Sequence, residues 1–356
     1  MNNYRSVKGL PWSVGIGKDV TDCRTAEEVM HKAGLDFTVE KCPLVAKMPF
    51  SIKGNNEIDK QSNDFAHKGH IYRECAGAYA TYRTDKNIPL GMVKSKYEVV
   101  QNIDAFKFFD DAIGIDKAQY QTAGYYGLGH KIFISAKIPA DFDVSGDPVK
   151  SYLIFSNTHD GSGSISILFA PVRVFCTNML NSAFDNADSY IRIRHTRTAK
   201  EKLERGSEIL RIACKYAHDS KELYESLTKI KMSDKQVMEY IANLNLTEAE
   251  RMALQDYDSV FGLNKLFRRD YYTLETTKIS MRKANKIVAM WDYYHTGAGQ
   301  DRIMGTAWGA YNAITGYYSN VDNSEGEKRM DTLCYGGANK VMNHALISAA
   351  GYGVAV

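Results

Sequence analysis

Between residues 71 and 195 the chain alternates apolar and polar side chains in strand-length runs, and turn residues interrupt those runs at short intervals. Ile71–Thr84 and Ile88–Val100 flank Asp85-Lys-Asn87. Gln121–Tyr126 and Lys131–Ile138 flank Gly127-Leu-Gly129, and Ser151–Asn157 and Ser164–Phe169 flank Thr158-His-Asp-Gly-Ser-Gly163. Gly, Asn and Asp supply the backbone freedom and local side-chain hydrogen bonds that tight turns need, so each pair reads as a hairpin. Asn102 caps a short helix, Ile103–Ile113, with Ala105, Phe106, Phe109 and Ile113 at helical spacing. After Pro171 come Val172–Cys176, a short helix through Asn178–Phe184 and a last alternating strand, Tyr190–His195. Successive hairpins make neighbouring strands antiparallel. The expected class is therefore α+β: a mostly antiparallel hairpin sheet crossed by short helices, followed by a helical C-terminal half.

That half begins near 198. Thr198-Ala-Lys-Glu201, Ser233-Asp-Lys-Gln236 and Thr247-Glu-Ala-Glu250 have the capping-box pattern, in which hydroxyl and carboxylate or amide satisfy free helix-start amides. The first opens a long helix with Leu203, Leu210, Ala213, Ala217, Tyr224, Leu227 and Ile230 on one stripe. Further helices are expected over 234–245, 248–261, 270–295, 303–320 and 338–350. Upstream, a Gly-rich opening precedes a helix from Thr25-Ala-Glu-Glu28 to Gly34, and residues 53–70 read as a polar loop or hairpin tip. The expected division is an N-terminal arm with a short helix (1–70), an antiparallel α+β core (71–197) and a helical region (198–356).

Composition excludes several classes. The 356 residues carry 45 Lys and Arg against 42 Asp and Glu, which rules out a polycation or an acidic disordered chain. Tyr accounts for 23 residues against 14 Phe and 3 Trp, an excess that suits half-wet surfaces and interfaces as well as cores. The start has no basic segment leading into an apolar run, and no apolar run approaches the roughly 20 residues that span a bilayer. Cys23, Cys42, Cys75, Cys176, Cys214 and Cys334 are scattered without a CxxC pair, so reduced thiols are expected rather than a disulfide framework. His67-x-x-His70 has no second ligand pair, and no metal is expected. Gly15-Ile-Gly17 lacks the third Gly of a dinucleotide fingerprint, and no phosphate-loop motif occurs; no cofactor is expected. The chain reads as a cytoplasmic protein of a bacterial host cell, without a membrane partner.

Several ordered motifs carry a family likeness. They are Trp12-Ser-Val-Gly-Ile-Gly17, Ala33-Gly-Leu-Asp36, Tyr82-Arg-Thr-Asp85, Tyr97-Glu-Val-Val-Gln-Asn102 with Ala105-Phe106, and Thr122-Ala-Gly124. Downstream follow Ser156-Asn-Thr-His-Asp-Gly161, Pro171-Val-Arg-Val-Phe-Cys-Thr-Asn178, Arg194-His-Thr196 and Gly305-Thr-Ala-Trp-Gly-Ala-Tyr-Asn-Ala313. Together they resemble the phage/plasmid-like protein family, a domain of unknown function found in phages, prophages and conjugative plasmids. The chain departs from that pattern at Ser13, where the family often has His, and at Phe175. The resemblance implies a mobile-element origin and names no activity.

Three places could carry chemistry or contact. Asn157, His159 and Asp160 form either a tight turn or a functional loop in which His159 is a base beside an orienting Asp160. Cys176 is expected on the core face with Val172 and Val174, a structural thiol, which puts Arg173 and Phe175 on the other face, where Arg173 would meet an anion. The third is a basic surface. Residues 190–231 hold 11 Lys and Arg against 6 Asp and Glu, and 262–290 hold 7 against 2. The intervening 232–261 hold 2 against 6. In Tyr190–Arg197 strand alternation places Arg192 and Arg194 on one face, a row suited to gripping phosphates. Arg83, Lys94, Lys96, Lys131, Arg173 and Arg197 are the further candidate phosphate contacts, and Tyr97 and Tyr125 the candidate base-stacking platforms.

A hairpin sheet with a basic row and Tyr is also similar in architecture to phage single-strand-annealing recombination proteins, which hold extended single strands as rings or filaments without nucleotide hydrolysis. The first expectation is a non-enzymatic, homo-oligomeric protein that binds single-stranded DNA, or another nucleic acid, and promotes annealing or protection. A host-directed protein that inhibits a bacterial defence system is the second. It would use the pairs Tyr271-Tyr272, Tyr293-Tyr294 and Tyr317-Tyr318 as its contact surface. An enzyme built on the Asn157-His159-Asp160 loop is the third.

Overall fold

The computed structural model describes residues 8–10, 12, 15–49, 64–113, 119–180, 190–199, 201, 206–257 and 262–353. The expected hairpins are present. β4 (His70–Arg83) pairs with β5 (Ile88–Lys94), β6 (Gln119–Tyr126) with β7 (Lys131–Lys137), and β9 (Asp147–Thr158) with β10 (Ile165–Arg173), all antiparallel. They are divided between two sheets. The larger has the order β1 (Gly17–Asp19), β6, β7, β9, β10, β11 (Tyr190–Ile193), with β8 (Phe142–Val144) on β9. The smaller is built on the 14-residue β4, with β2 (Val39–Pro49) along one side and β3 (Phe65–His67) and β5 sharing the other. β2 was not expected. It lies before residue 70 and pairs with β4 from Val39↔Arg83 to Pro49↔His70.

The large sheet is covered on both faces, because alternate residues of its strands feed two different cores. Ile132, Ile134, Phe155 and Ile167 pack with α1 (Ala26–Ala33) and α2 (Asn102–Ile113), around Val29, Leu35, Ala105 and Phe106. Phe133, Ile154, Leu168 and Val172 point the other way, into the C-terminal helices around Trp308 and Tyr311. Helix α3 (Gly206–Lys229) serves both, giving Ala213 and Ala217 to the first core and Tyr224 and Leu227 to the second. The molecule is thus an α+β fold in which a mostly antiparallel sheet is sandwiched between helices.

The helical half follows its caps. α4 (Asp234–Asn245) begins at a complete Ser233/Gln236 capping box, and α5 (Glu248–Tyr257) at Thr247 and Glu250, which bond each other's backbone amides. At α1 the Thr25 hydroxyl accepts from Glu28 N, but the Glu28 carboxylate reaches Arg24 N, one residue short of the reciprocal box. α6 (Gly262–Phe267) and α10 (Gly326–Cys334) are additional helices, and α11 spans Gly337–Gly351. The expected helix over 270–295 is two, α7 (Tyr271–Thr277) and α8 (Met281–Thr296). Lys278 turns left-handed (φ 57°) and Ser280 caps a fresh start. α9 (Ala307–Gly316) is buried throughout and continues as a π-helical turn, Tyr317–Val321. A Cβ at Gly316 would lie 1.9 Å from the Tyr293 ring, so only glycine allows α8 and α9 to approach this closely.

The expected strand Val172–Cys176 stops at Arg173, where the chain turns through a left-handed Thr177; Val174 is exposed. Of the expected helix Asn178–Phe184, residues 181–184 lie outside the described residues, and Met179 forms a bridge to Val172 instead. Ser13, Leu203 and part of the Thr198–Glu201 cap also lie outside them.

Candidate functional site

The β9–β10 connection is a tight turn. Asp160 Oδ1 accepts hydrogen bonds from Ser162 N (2.9 Å) and its hydroxyl (2.7 Å), and Gly161 takes the left-handed backbone (φ 77°) that closes the turn. The two side chains Asn157 and His159 face inward. Asn157 Nδ2 donates to Val100 O (3.0 Å). His159, 0% exposed, lies 2.8 Å through Nε2 from Asn102 Oδ1, while Asn102 Nδ2 donates to Leu35 O and Phe37 O. Because that amide oxygen is an acceptor, the network puts the His159 proton on Nε2 and leaves Nδ1 bare. Burial holds the imidazole far below its ordinary 6.5, at about 3, so it stays neutral. The turn also supports the small sheet: Thr81 donates to His159 O (2.5 Å), and Gly91 lacks the Cβ that would strike the Asp160 backbone. Asn157 and His159 are interior struts, and Asp160 is the member of the set that reaches the surface.

Of the predicted phosphate contacts, Arg173 and Arg83 are buried, and Lys131 is half-buried and paired. Arg173, the last residue of β10, is 0% exposed. Its Nε donates to Asp147 Oδ2 (2.5 Å), and its Nη atoms to Asn312 Oδ1 (3.2 Å), Cys176 Sγ (3.4 Å) and Gly299 O (3.2 Å). Trp308 Nε1 completes this hub on Asp147 (3.0 Å). Cys176 is buried beside it, and desolvation pushes its thiol up despite the neighbouring guanidinium. Arg83 lies over the Phe37 ring (3.7 Å) and forks onto Asp85 at 3.0 and 2.8 Å. Lys131 is ion-paired with Asp331 and sits over the Tyr126 and Tyr335 rings. The two predicted stacking platforms are half-buried. Tyr97 donates to Thr158 O (2.7 Å) with its ring against His195 (centroids 4.5 Å apart), and Tyr125 meets Phe37 edge-on.

The remaining predicted cations lie on two segments bonded to each other. β11 pairs through β10 at the end of the large sheet, with Ile193 and His195 buried and Arg192, Arg194 and Arg197 exposed. The alternation expected from sequence therefore holds through His195, two residues beyond the strand. The segment after β5 lies alongside: Glu98 N donates to His195 O (3.2 Å), and the Tyr97–His195 stack clamps the two. Exposed Lys94 and Lys96 thus lie on a segment held against the one that carries the arginines, although about a hundred residues separate the two in sequence. Lys41 on β2 fastens this segment, donating to Ser95 O (3.3 Å) and Tyr97 O (2.6 Å). Sequence reasoning missed Lys41 and His195; a pairing across strands that are not hairpin neighbours leaves no local pattern.

Between the same edge and the C-terminal helices lies a cleft of about 570 Å³, bordered by the β9–β10 turn, Arg192, Lys131 and the α10–Tyr335 segment. Ser156 and Ser166, opposed across β9 and β10, share a 2.8 Å hydrogen bond, and Ser156 donates to Tyr335 Oη (3.1 Å). Lys131, Asp160 and Arg192 are the sequence candidates that the cleft brings together.

Among known protein families, residues 89–344, well over half the chain, match DUF932, a domain of unknown function. The chain belongs to the DUF932 family. No curated protein and no solved structure matches it. The DUF932 match takes in β11, the segment after β5 and the cleft, but begins after most of the small sheet. No helix among the described residues is long and apolar enough to cross a membrane.

Proposed function

We propose that this DUF932 chain is a nucleic-acid-binding protein of a phage or plasmid that prefers single-stranded DNA and acts by holding it, for annealing or protection. The observation that supports this most is that Arg192, Arg194 and Arg197, exposed on and just after the edge strand β11, lie on a segment bonded to the one that carries exposed Lys94 and Lys96. A row of cations along an edge matches the linear charge of a nucleic-acid backbone, and its affinity comes from displaced counterions. The buried Arg173 and Arg83 take no part. A labelled oligonucleotide followed by fluorescence anisotropy across a salt series tests the assignment. Arg192→Ala with Arg194→Ala should lower affinity at low salt and reduce the salt slope by about one for each phosphate no longer neutralised. Adding Lys94→Ala and Lys96→Ala should weaken binding further, because the two segments are bonded to each other. Unchanged affinity in the fourfold variant would refute the site.

Assembly into a ring or filament belongs to the same reading, since a single short edge reaches few phosphates. Light scattering at micromolar concentration should return a mass several times that of one chain, and a monomer would count against it.

A second reading, a host-directed interaction protein, is favoured by Tyr271 and Tyr272, which are 72% and 65% exposed at the start of α7. The other Tyr pairs add little to that surface: Tyr293 and Tyr294 are fully buried, Tyr318 is 8% exposed and Tyr317 is half-buried.

A further inference from the structure

We propose that the cleft beside β11 is a binding site for an uncharged polyhydroxylated small molecule, a free sugar or the sugar of a nucleoside. Its volume of about 570 Å³ falls within the range of small-molecule sites. Its base is a set of linked hydroxyls: Ser156 bonds both Ser166 and Tyr335, and Tyr335 also bonds Ser166. Each hydroxyl can donate or accept, which suits a partner presenting several hydroxyls of its own. Two more hydroxyls in the wall, on Tyr126 and Thr158, are buried and make no hydrogen bond among the described residues.

The charges select against an anion. Lys131 and Arg192 face Asp160, Glu327 and Asp331, so carboxylates outnumber permanent cations, and Lys131 is already paired with Asp331. A phosphate entering this field would gain little. Each carboxylate is instead fixed through one oxygen, Asp160 by Ser162, Glu327 by Gly127 N (2.6 Å) and Asp331 by Lys131. Among the described residues nothing bonds the second oxygens, which can accept O–H groups from a ligand. This site differs from the proposed strand-binding edge in the sign of its charge and shares only Arg192 with it.

The test is calorimetric titration of the full chain with D-ribose, D-glucose and uridine, with inorganic phosphate as the charged comparison. At least one of the three polyols should bind, and phosphate should not. Tighter binding of uridine than of ribose would assign a nucleoside, and equal or weaker binding a free sugar. Tyr335→Phe removes one hydroxyl and keeps the ring, and should weaken binding about tenfold. Ser166→Ala should do the same and serves if Tyr335→Phe fails to fold by circular dichroism. The proposal falls if no polyol binds at millimolar concentration, if phosphate binds as tightly as the best polyol, or if both folded variants bind unchanged.

Discussion

Arg173 and His159 illustrate how one residue can look functional and be structural. Arg173 joins Asp147 on β9, Asn312 on α9 and the Gly299 carbonyl after α8, so it ties the sheet to the helical layer. Arg173→Met would leave the Asp147 carboxylate in the core with only Trp308, since Oδ1 has no partner among the described residues. It should destabilise the protein by about 3–5 kcal/mol in urea denaturation, as expected when one member of a buried ion pair is removed. His159 makes a different prediction. Its folded pKa lies below that of the unfolded chain, and burial also lowers His195. Above pH ~6.5 neither state is protonated, and these groups leave stability unchanged. As pH falls the unfolded chain takes up protons that the folded protein refuses, so stability drops by up to about 1.4 kcal/mol per pH unit for each histidine. For His159 the decline continues to about pH 3. Denaturation midpoints should fall accordingly, and His159→Gln, which keeps a donor for Asn102, should flatten the slope.

At the scale of elements, hairpins and caps were legible because their causes are local. The Asp-Lys-Asn, Gly-Leu-Gly and Asp-Gly turns fix which strands pair, and Ser233 with Gln236 fixes a helix start within one turn. β2 was not legible. Its pairing with β4 joins strands that are not neighbours in the sequence, and its own residues, with Lys41, Pro43 and Lys47, have no clean period of two. The break at Lys278 was equally hidden, since a left-handed lysine has no composition signal. For the site, alternation predicted the outward Arg192 and Arg194, while the burial of Arg173 depends on Asp147, a partner 26 residues away whose role only the tertiary structure reveals.

For the whole molecule, the decisive fact is that one sheet feeds two cores. The 71–197 segment, which reads from sequence as a core of its own, relies on α3 and the later helices to cover Phe133, Ile154, Leu168 and Val172. Expressed alone, residues 71–197 should expose that face and bind a hydrophobic dye such as ANS without a cooperative thermal transition. A fragment that melts sharply and binds no dye would show that the sheet needs one layer only.

A last consequence concerns synthesis. Arg329 on α10 donates to Gly9 O (3.0 Å) and Leu10 O (3.4 Å), and Lys8 N donates to Asn320 on the π-helical turn (3.0 Å). Residues 8–10 leave the ribosome well before their partners, which follow more than 300 residues later. Local hairpins can form on the nascent chain, but this seam closes only after α10 has emerged, so translation itself sets the earliest moment at which the fold is complete.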